Sequence, residues 1–353
     1  PYQLNHICKK ANIMLLSSES LRDQKELMSL GIIGLTSGCI PVKWEGCLKD
    51  YSDQDFMVSK KTLTELYDYF LSNTDSLTRE IQWLKLFRTY QRFKKKLSIN
   101  DVIEGFANKL NMISSEELSP SAEMICVSKR PDNLENIIKS FYAQSYKNLS
   151  LHIIWNVSDK EKSSILQSSQ EYLSDRVRIS VLDKSNNIGA CLNYGIMSCN
   201  SEYWFKIDDD DYYGKFYIED LINWYEVTGA DSIGKPSAIV KIKRTGEHLM
   251  RSHAYKQARA FLPKGQYLCG ATLSGRKESN LPSFSNFYRN SCDSKWIELL
   301  HKSDCRLFVA DFLNFIIYRG DLGQHTWKVE ETQLRDRGVV ISESSLKGVI
   351  DAS

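Results

Sequence analysis

Between residues 122 and 207, short apolar runs alternate with stretches of helical pattern, and this alternation limits the fold more than any other feature of the chain. Met124-Ile125-Cys126-Val127 reads as a buried strand, and Pro131 to Ser145 as a helix with proline near its first turn. Leu149 to Trp155 is a second strand, Ser158 to Leu173 a helix, Val177 to Leu182 a third strand, Ile188 to Ser198 a helix and Tyr203 to Ile207 a fourth strand. Strands and helices in strict alternation at this spacing predict an α/β domain built on a mostly parallel sheet. In such sheets ligands bind beyond the carboxyl ends of the strands.

The fourth strand runs straight into Asp208-Asp209-Asp210-Asp211, followed by Tyr212-Tyr213-Gly214. Four adjacent carboxylates repel one another and cannot all be buried in a core. At a strand end they form a compact oxygen-rich site that a divalent cation can neutralise. A calcium-binding EF-hand loop is excluded, because the sixth position from Asp208 holds Tyr213 where that loop needs glycine for its sharp turn, even though the twelfth holds Glu219. In an extended segment Asp208 and Asp210 point to one side and Asp209 to the other. An acidic surface loop is the plainer alternative.

The rest of the composition sets bounds. The chain has 353 residues, room for two domains, and a net charge of +2, which gives no basis for nucleic-acid binding. Nine cysteines at scattered spacing form no CxxC pair and suggest reduced thiols in a cytoplasmic setting. No run reaches the roughly 18 apolar residues of a membrane span. The sequence begins at Pro1 and not methionine, which suggests part of a longer chain. The polar stretch Ser114 to Ser121, with Pro120, reads as a linker, so the expected domains are 1–118 and 119–353.

Residues 1–118 are expected to be mostly helical or partly α/β, with one strand-like piece at Gly38 to Val42 and helices over 60–72 and 78–97. The basic run Lys85 to Lys96 interleaves Phe87, Tyr90 and Phe93. It is either a solvated helix face or a point of peripheral attachment to an anionic membrane surface.

Several motifs of the second region appear in the order of a known family. They are Ser128-Lys129-Arg130-Pro131, Phe141-Tyr142-Ala143-Gln144-Ser145-Tyr146, Asn187-Ile188-Gly189 with Leu192-Asn193-Tyr194-Gly195, the aspartate run, and Gly270-Ala271-Thr272-Leu273. Residues 122–328 thus resemble a family 2-type inverting glycosyltransferase of the GT-A fold, a Rossmann-like α/β architecture. The resemblance implies transfer of a sugar from a nucleotide-diphosphate donor, a UDP-sugar of pyranose or furanose form, to a hydroxyl of a bacterial surface polysaccharide or glycolipid. It implies Mn2+ or Mg2+ held by Asp208, Asp210 and His325. It implies Asp293 as the general base, with Cys292 where the family carries glutamate, and nucleotide-sugar contacts from Ser128, Arg130, Asn156, Lys184, Asn187, Asp208, Asp209 and Gly270. The strand-like Gly270–Leu273 would line the donor sugar. Such a protein would be cytoplasmic or peripheral on the inner face of the membrane.

Bland alternatives stand beside these roles. Asp293 could cap a helix, Asn187 and Gly189 could be a helix-starting turn, and Trp296 and Trp327 could pack in the core as readily as stack on sugar. His6, His152, His248, His253 and His301 are taken as structural or exposed. Glu26 to Val42 faintly resembles an element of the C-terminal half of GT-B glycosyltransferases, which would make the first region a non-catalytic docking or structural module. The rival functions are a nucleotidyltransferase, against which the absence of glycine at Ser128-Lys129-Arg130-Pro131 counts, and a catalytically inactive glycan- or nucleotide-binding module.

Overall fold

The structure, a computed structural model, describes residues 13–16, 40–44, 58–60, 79, 81–92, 119–251, 258–287, 291–320, 331–342 and 346–347. The chain divides into two compact units, Pro1–Ser115 with Lys347–Ser353, and Glu116–Leu346.

In the first unit three strands form a parallel sheet in chain order: β1 (Ile13–Leu16), β2 (Ile40–Trp44) and β3 (Val58–Lys60). The sequence suggested one strand here, and the sheet corrects that; short apolar runs such as Ile13-Met14-Leu15-Leu16 do not alternate and are ambiguous between helix and strand. The helix candidate over 60–72 lies outside the described residues apart from Lys60, which ends β3. Residues 81–92 are helical (α1). Trp83, Leu84, Leu86, Phe87 and even Arg88 are buried, and Trp83 stacks on Phe87 at 4.9 Å. The aromatic at 87 therefore packs inward, so this part of the basic run is a core helix; Phe93 and Lys94 to Lys96 lie outside the described residues.

The second unit has the expected parallel sheet. Its strands are β4 (Ala122–Ser128), β5 (Leu149–Val157), β6 (Val177–Asp183) and β7 (Tyr203–Ile207). They are joined by α2 (Leu134–Tyr142), α3 (Asp159–Ser169) and α4 (Ile188–Met197). The order β6-β5-β4-β7 places the first strand in the middle, so the connections run outward on one side and then reverse to the other. Nearly every residue of β4 and β7 is buried, the pattern of strands covered on both faces, whereas the edge strand β6 is half-exposed. Local signals set the helix starts: Ser158 and Glu161 form a capping box at α3, and the Asn187 side chain accepts from the Ala190 N–H at α4.

Two further sheets follow. β8 (Tyr212–Tyr213), α5 (Tyr217–Thr228), β9 (Ser232–Gly234), β10 (Ile239–Ile242), β11 (His248–Arg251), β12 (Ala260–Phe261), β13 (Ser274–Arg276), α6 (Cys292–Lys302), β14 (Leu307–Val309), β15 (Phe315–Arg319), α7 (Glu331–Asp336) and β16 (Gly338–Val340) complete the unit. β13 adds antiparallel to β7, and a second sheet runs β16-β11-β10-β15-β8. The four aspartates are therefore the whole connection between the last parallel strand, β7, and β8 of the second sheet. A core of Ile125, Ile154, Leu192, Trp204, Leu273, Phe284, Trp296, Ile297 and Leu300 fixes α4 and α6 around the parallel sheet. Each such side chain contributes on the order of 1.5–3 kcal/mol by burial.

Trp296 belongs to this core. It is fully buried, stacks on Phe284 at 4.6 Å and donates its indole N–H to the Pro282 carbonyl at 2.6 Å, so it does not offer a face to a sugar. Trp327 lies outside the described residues. Among the described residues no helix is long and apolar enough to cross a membrane.

Candidate active site at the strand ends

The site forms where the sheet order reverses. β4 ends at Ser128 and its neighbour β7 delivers Asp208, so the segments after these two strands meet side by side at the carboxyl edge of the sheet. The chain does not stay extended through the aspartates but turns at Asp209 and Asp210. Alternation therefore does not govern where these carboxylates point. Mutual repulsion is relieved by giving each carboxylate a different set of donors.

Asp209 is turned inward, only 4% exposed. Its carboxylate accepts from the Ser128 hydroxyl, from the Arg130 guanidinium through Nε at 2.9 Å and through a second nitrogen, and from Asn133 Nδ2 at 3.2 Å. Asn136 Nδ2 donates to its backbone carbonyl at 3.0 Å. The resemblance implied a nucleotide contact here. In the structure this carboxylate is buried and orders Ser128 and Arg130. Arg130 also reaches Asp210 Oδ2 at 2.9 Å, and it is held charged by the two aspartates despite the burial that opposes it.

Asp208 has different partners. Its backbone N–H donates to the Tyr213 hydroxyl at 2.7 Å, which donates on to the Ala271 carbonyl at 2.8 Å. Its Oδ1 accepts from Lys206 Nζ at 2.6 Å. Asp208 keeps 37% of its side chain exposed and Asp210 keeps 15%. Asp211 is buried and accepts the Tyr318 backbone N–H at 2.9 Å; burial, with Asp208 and Asp210 adding to it, pushes its carboxyl well above the usual range.

Asp293 reaches the same edge from the first turn of α6. It is not the helix cap: Ser291 holds that position, in a left-handed conformation with φ 65°. Asp293 Oδ2 lies 4.0 Å from Lys206 Nζ. Burial raises its carboxyl above the usual value; Lys206 opposes this and Asp208 adds to it. Its other oxygen is 3.5 Å from the Cys292 sulfur, whose thiol burial pushes up to about 12, so Cys292 remains protonated and can donate. Gly270 makes this approach possible: a Cβ there would stand 2.2 Å from Asp293 Oδ2. The Gly270 segment is a 3-10 turn (Gly270–Thr272) and not the strand the sequence suggested, because the Gly270 carbonyl turns to accept from Lys206 Nζ at 2.8 Å.

The remaining expected residues share the carboxyl edge without joining these two groups. Asn156, at the end of β5, donates to the carbonyls of Asp183 and Asn186 at 2.9 and 3.3 Å, holding the turn after β6. Lys184 is exposed on that turn. Asn187 caps α4 and donates to the Asn286 carbonyl. Gly189 lies against the Ser285 carbonyl, where a Cβ would come within 2.2 Å, so the α4 start also seats the loop before α6. His325 lies outside the described residues.

The sequence reading overlooked Lys206, Asn133, Asn136 and Tyr213. Lys206 had a signal: a lysine inside the aromatic run Tyr203-Trp204-Phe205 must either be exposed or find a carboxylate. Among the described residues no cluster of three or more His, Cys, Asp or Glu is arranged to hold a metal ion. Asp208 and Asp210 do fit a hard cation held by one or two carboxylates together with substrate phosphates.

The fold and this edge define an α/β domain of GT-A type. Residues 124–281 match the model of the family described as Glycosyl transferase family 2. No curated protein matches the chain. Among solved structures it is similar to TarS 1–349 of S. aureus in complex with UDP-GlcNAc, at 15% identity and a TM-score of 0.45, covering 60% of this chain and 61% of that one. It is also similar to the mannosyltransferase PcManGT of Pyrobaculum calidifontis in complex with GDP-Man and Mn2+, at 13% identity and a TM-score of 0.46, covering 77% and 80%. The chain spans 60% of the length of TarS 1–349 without ligand and 37% of that of the longer TarS chain.

Proposed function

We propose that this chain is an inverting, metal-dependent glycosyltransferase that moves a sugar from a nucleotide-diphosphate donor, a UDP-sugar, to a hydroxyl of a glycan or glycolipid. The observation that carries the reading is the meeting of Asp208 and Asp293, which are remote in sequence, on either side of one ammonium group at the carboxyl edge of the sheet. Asp208 and Asp210 would hold Mn2+ or Mg2+, which supplies Lewis-acid stabilisation of the departing diphosphate. His325 is the proposed third ligand. Ser128 and Arg130, ordered by Asp209, line the donor side with Asn156, Lys184 and Asn187 further along the edge. Asp293, raised by burial, would take the proton of the acceptor hydroxyl. A displacement by that hydroxyl from the face opposite the leaving group inverts the anomeric centre.

Isothermal titration of UDP into the intact chain with and without Mn2+, repeated on Asp210→Ala, tests the donor site. Metal-dependent binding that weakens at least tenfold in the variant is expected, and metal-independent or absent binding refutes it. Asp293→Asn should keep that binding and lose transfer, and full transfer by this variant removes the base role. A donor screen read by intact mass of the product identifies the sugar.

A further inference from the structure

The residue that connects the two halves of this site is not one of the expected ligands. Lys206 is the fourth residue of β7, with 3% of its side chain exposed. A buried ammonium is costly unless its donors are met and its charge is opposed. Here Nζ donates to Asp208 Oδ1 at 2.6 Å and to the Gly270 carbonyl at 2.8 Å, and Asp293 Oδ2 stands 4.0 Å away. These are a carboxylate of the aspartate run, the residue that gives Asp293 its room, and Asp293 itself. The β7 backbone also fixes the segment after the Gly270 turn, since the Lys206 N–H donates to the Leu273 carbonyl at 2.8 Å. A buried ammonium that is hydrogen-bonded to one carboxylate and faced by a second is a fixed cation.

We propose, resting on the reading above, that Lys206 is a positioning residue for transfer: its ammonium orients the Asp293 carboxylate toward the acceptor and couples that orientation to Asp208. The nearer carboxylate competes for the ammonium. If Asp208 holds the cation that accompanies the donor diphosphate, part of its charge would be taken up there, and Asp293 would become the principal anion for Lys206. The base is then aimed when a donor is present. No bond to Lys206 forms or breaks, and it neither gives nor takes a proton.

A double-mutant cycle tests this. Lys206→Met keeps the length of the side chain and removes the charge; Asp293→Asn removes the base. At saturating donor and acceptor, Lys206→Met should lower kcat about 100-fold, the effect of losing a group that aims a reacting one. Its affinity for UDP with Mn2+ should stay the same or tighten, because Asp208 loses a competing cation. The double variant should be no slower than Asp293→Asn alone within about threefold, since Lys206 acts through Asp293. Melting temperatures accompany each variant, and Lys206→Gln, which keeps one donor, carries the same cycle if Lys206→Met does not fold. Losses that add in the double variant, a loss confined to UDP affinity, or a kcat within threefold of the unmutated chain would each overturn the proposal. Metal-dependent UDP binding with additive losses fails this inference alone, whereas an unmutated chain without metal-dependent UDP binding or transfer fails the underlying glycosyltransferase reading and takes the base role with it.

Discussion

Replacing Gly270 with alanine is the smallest change that should separate donor binding from transfer. An added Cβ would lie 2.2 Å from Asp293 Oδ2, 2.8 Å from Cγ and 3.0 Å from Cβ. Ordinary contact begins near 3.4 Å, so the carboxylate must retreat by roughly 1.2 Å, and a 1 Å misplacement of a reacting group can cost on the order of 100-fold. Retreat is feasible because Asp293 keeps 31% of its side chain exposed and its helix is anchored further along by Trp296 and Leu300. The fold should therefore survive, with a melting temperature within a few degrees of the unmutated chain. The assay is kcat for transfer alongside titration of UDP with Mn2+. UDP lacks the sugar, so its affinity should change by less than about threefold, while kcat falls about 100-fold. Unchanged kcat would refute the argument that Gly270 exists to admit Asp293. An equal loss in UDP affinity would instead make Gly270 part of the nucleotide site.

Other expectations follow from the same geometry. Because burial raises Asp293 and the base must be ionised, the acid limb of the kcat/KM profile, which reports the free enzyme, should lie above the ordinary aspartate value of about 3.9 and vanish from the residual rate of Asp293→Asn. His152 is buried and pulled down to about 4 by burial and Arg178, so it favours the fold only while neutral; stability should be full above pH 6.5 and fall by about 3 kcal/mol as pH drops toward 4, a loss that His152→Leu removes in urea titrations. Lys235 and Asp311 form a fully buried pair at 2.8 Å, with Trp224 Nε1 and the Leu313 N–H also on Asp311, so Lys235→Met should cost about 3–5 kcal/mol, and adding Asp311→Leu should recover much of it. Asp209→Asn should lose about 1.5–3 kcal/mol because an amide cannot satisfy Ser128, Arg130 and Asn133 together, whereas Asp211→Asn, which need only accept one backbone N–H, should be nearly neutral by denaturant midpoint.

What the sequence revealed divides by the range over which each feature is encoded. The parallel strands were legible because a strand buried on both faces is a short apolar run, and the α4 start was legible because Asn187 caps it through a contact three residues away. Features set by distant partners were not. Nothing within a few residues of Gly270 marks it as a turn rather than a strand; its conformation follows from Lys206 and Asp293. Trp296 looked as suited to stacking on sugar as to packing, and only its place between Phe284 and Trp204 decides the matter. The alternation argument for the aspartates assumed extended chain, and the turn at Asp209 and Asp210 depends on the second sheet starting immediately afterwards.

That last point explains why a run of four carboxylates can be stable at all. Asp208 to Asp211 make up the entire step from β7 in one sheet to β8 in another, so successive residues face different surroundings. Asp208 meets the Lys206 ammonium from its own strand, Asp209 meets the loop after β4, Asp210 shares Arg130 from that loop, and Asp211 meets the backbone of β15. A run of this kind inside one strand would set like charges on a common face without separate donors. Placed at the joint, the same residues divide into an inward strut, Asp209, and two carboxylates, Asp208 and Asp210, that each meet one fixed cation and keep part of the side chain exposed. The chemistry proposed for the site depends on this division, because an incoming cation must share these two aspartates with Lys206 and Arg130.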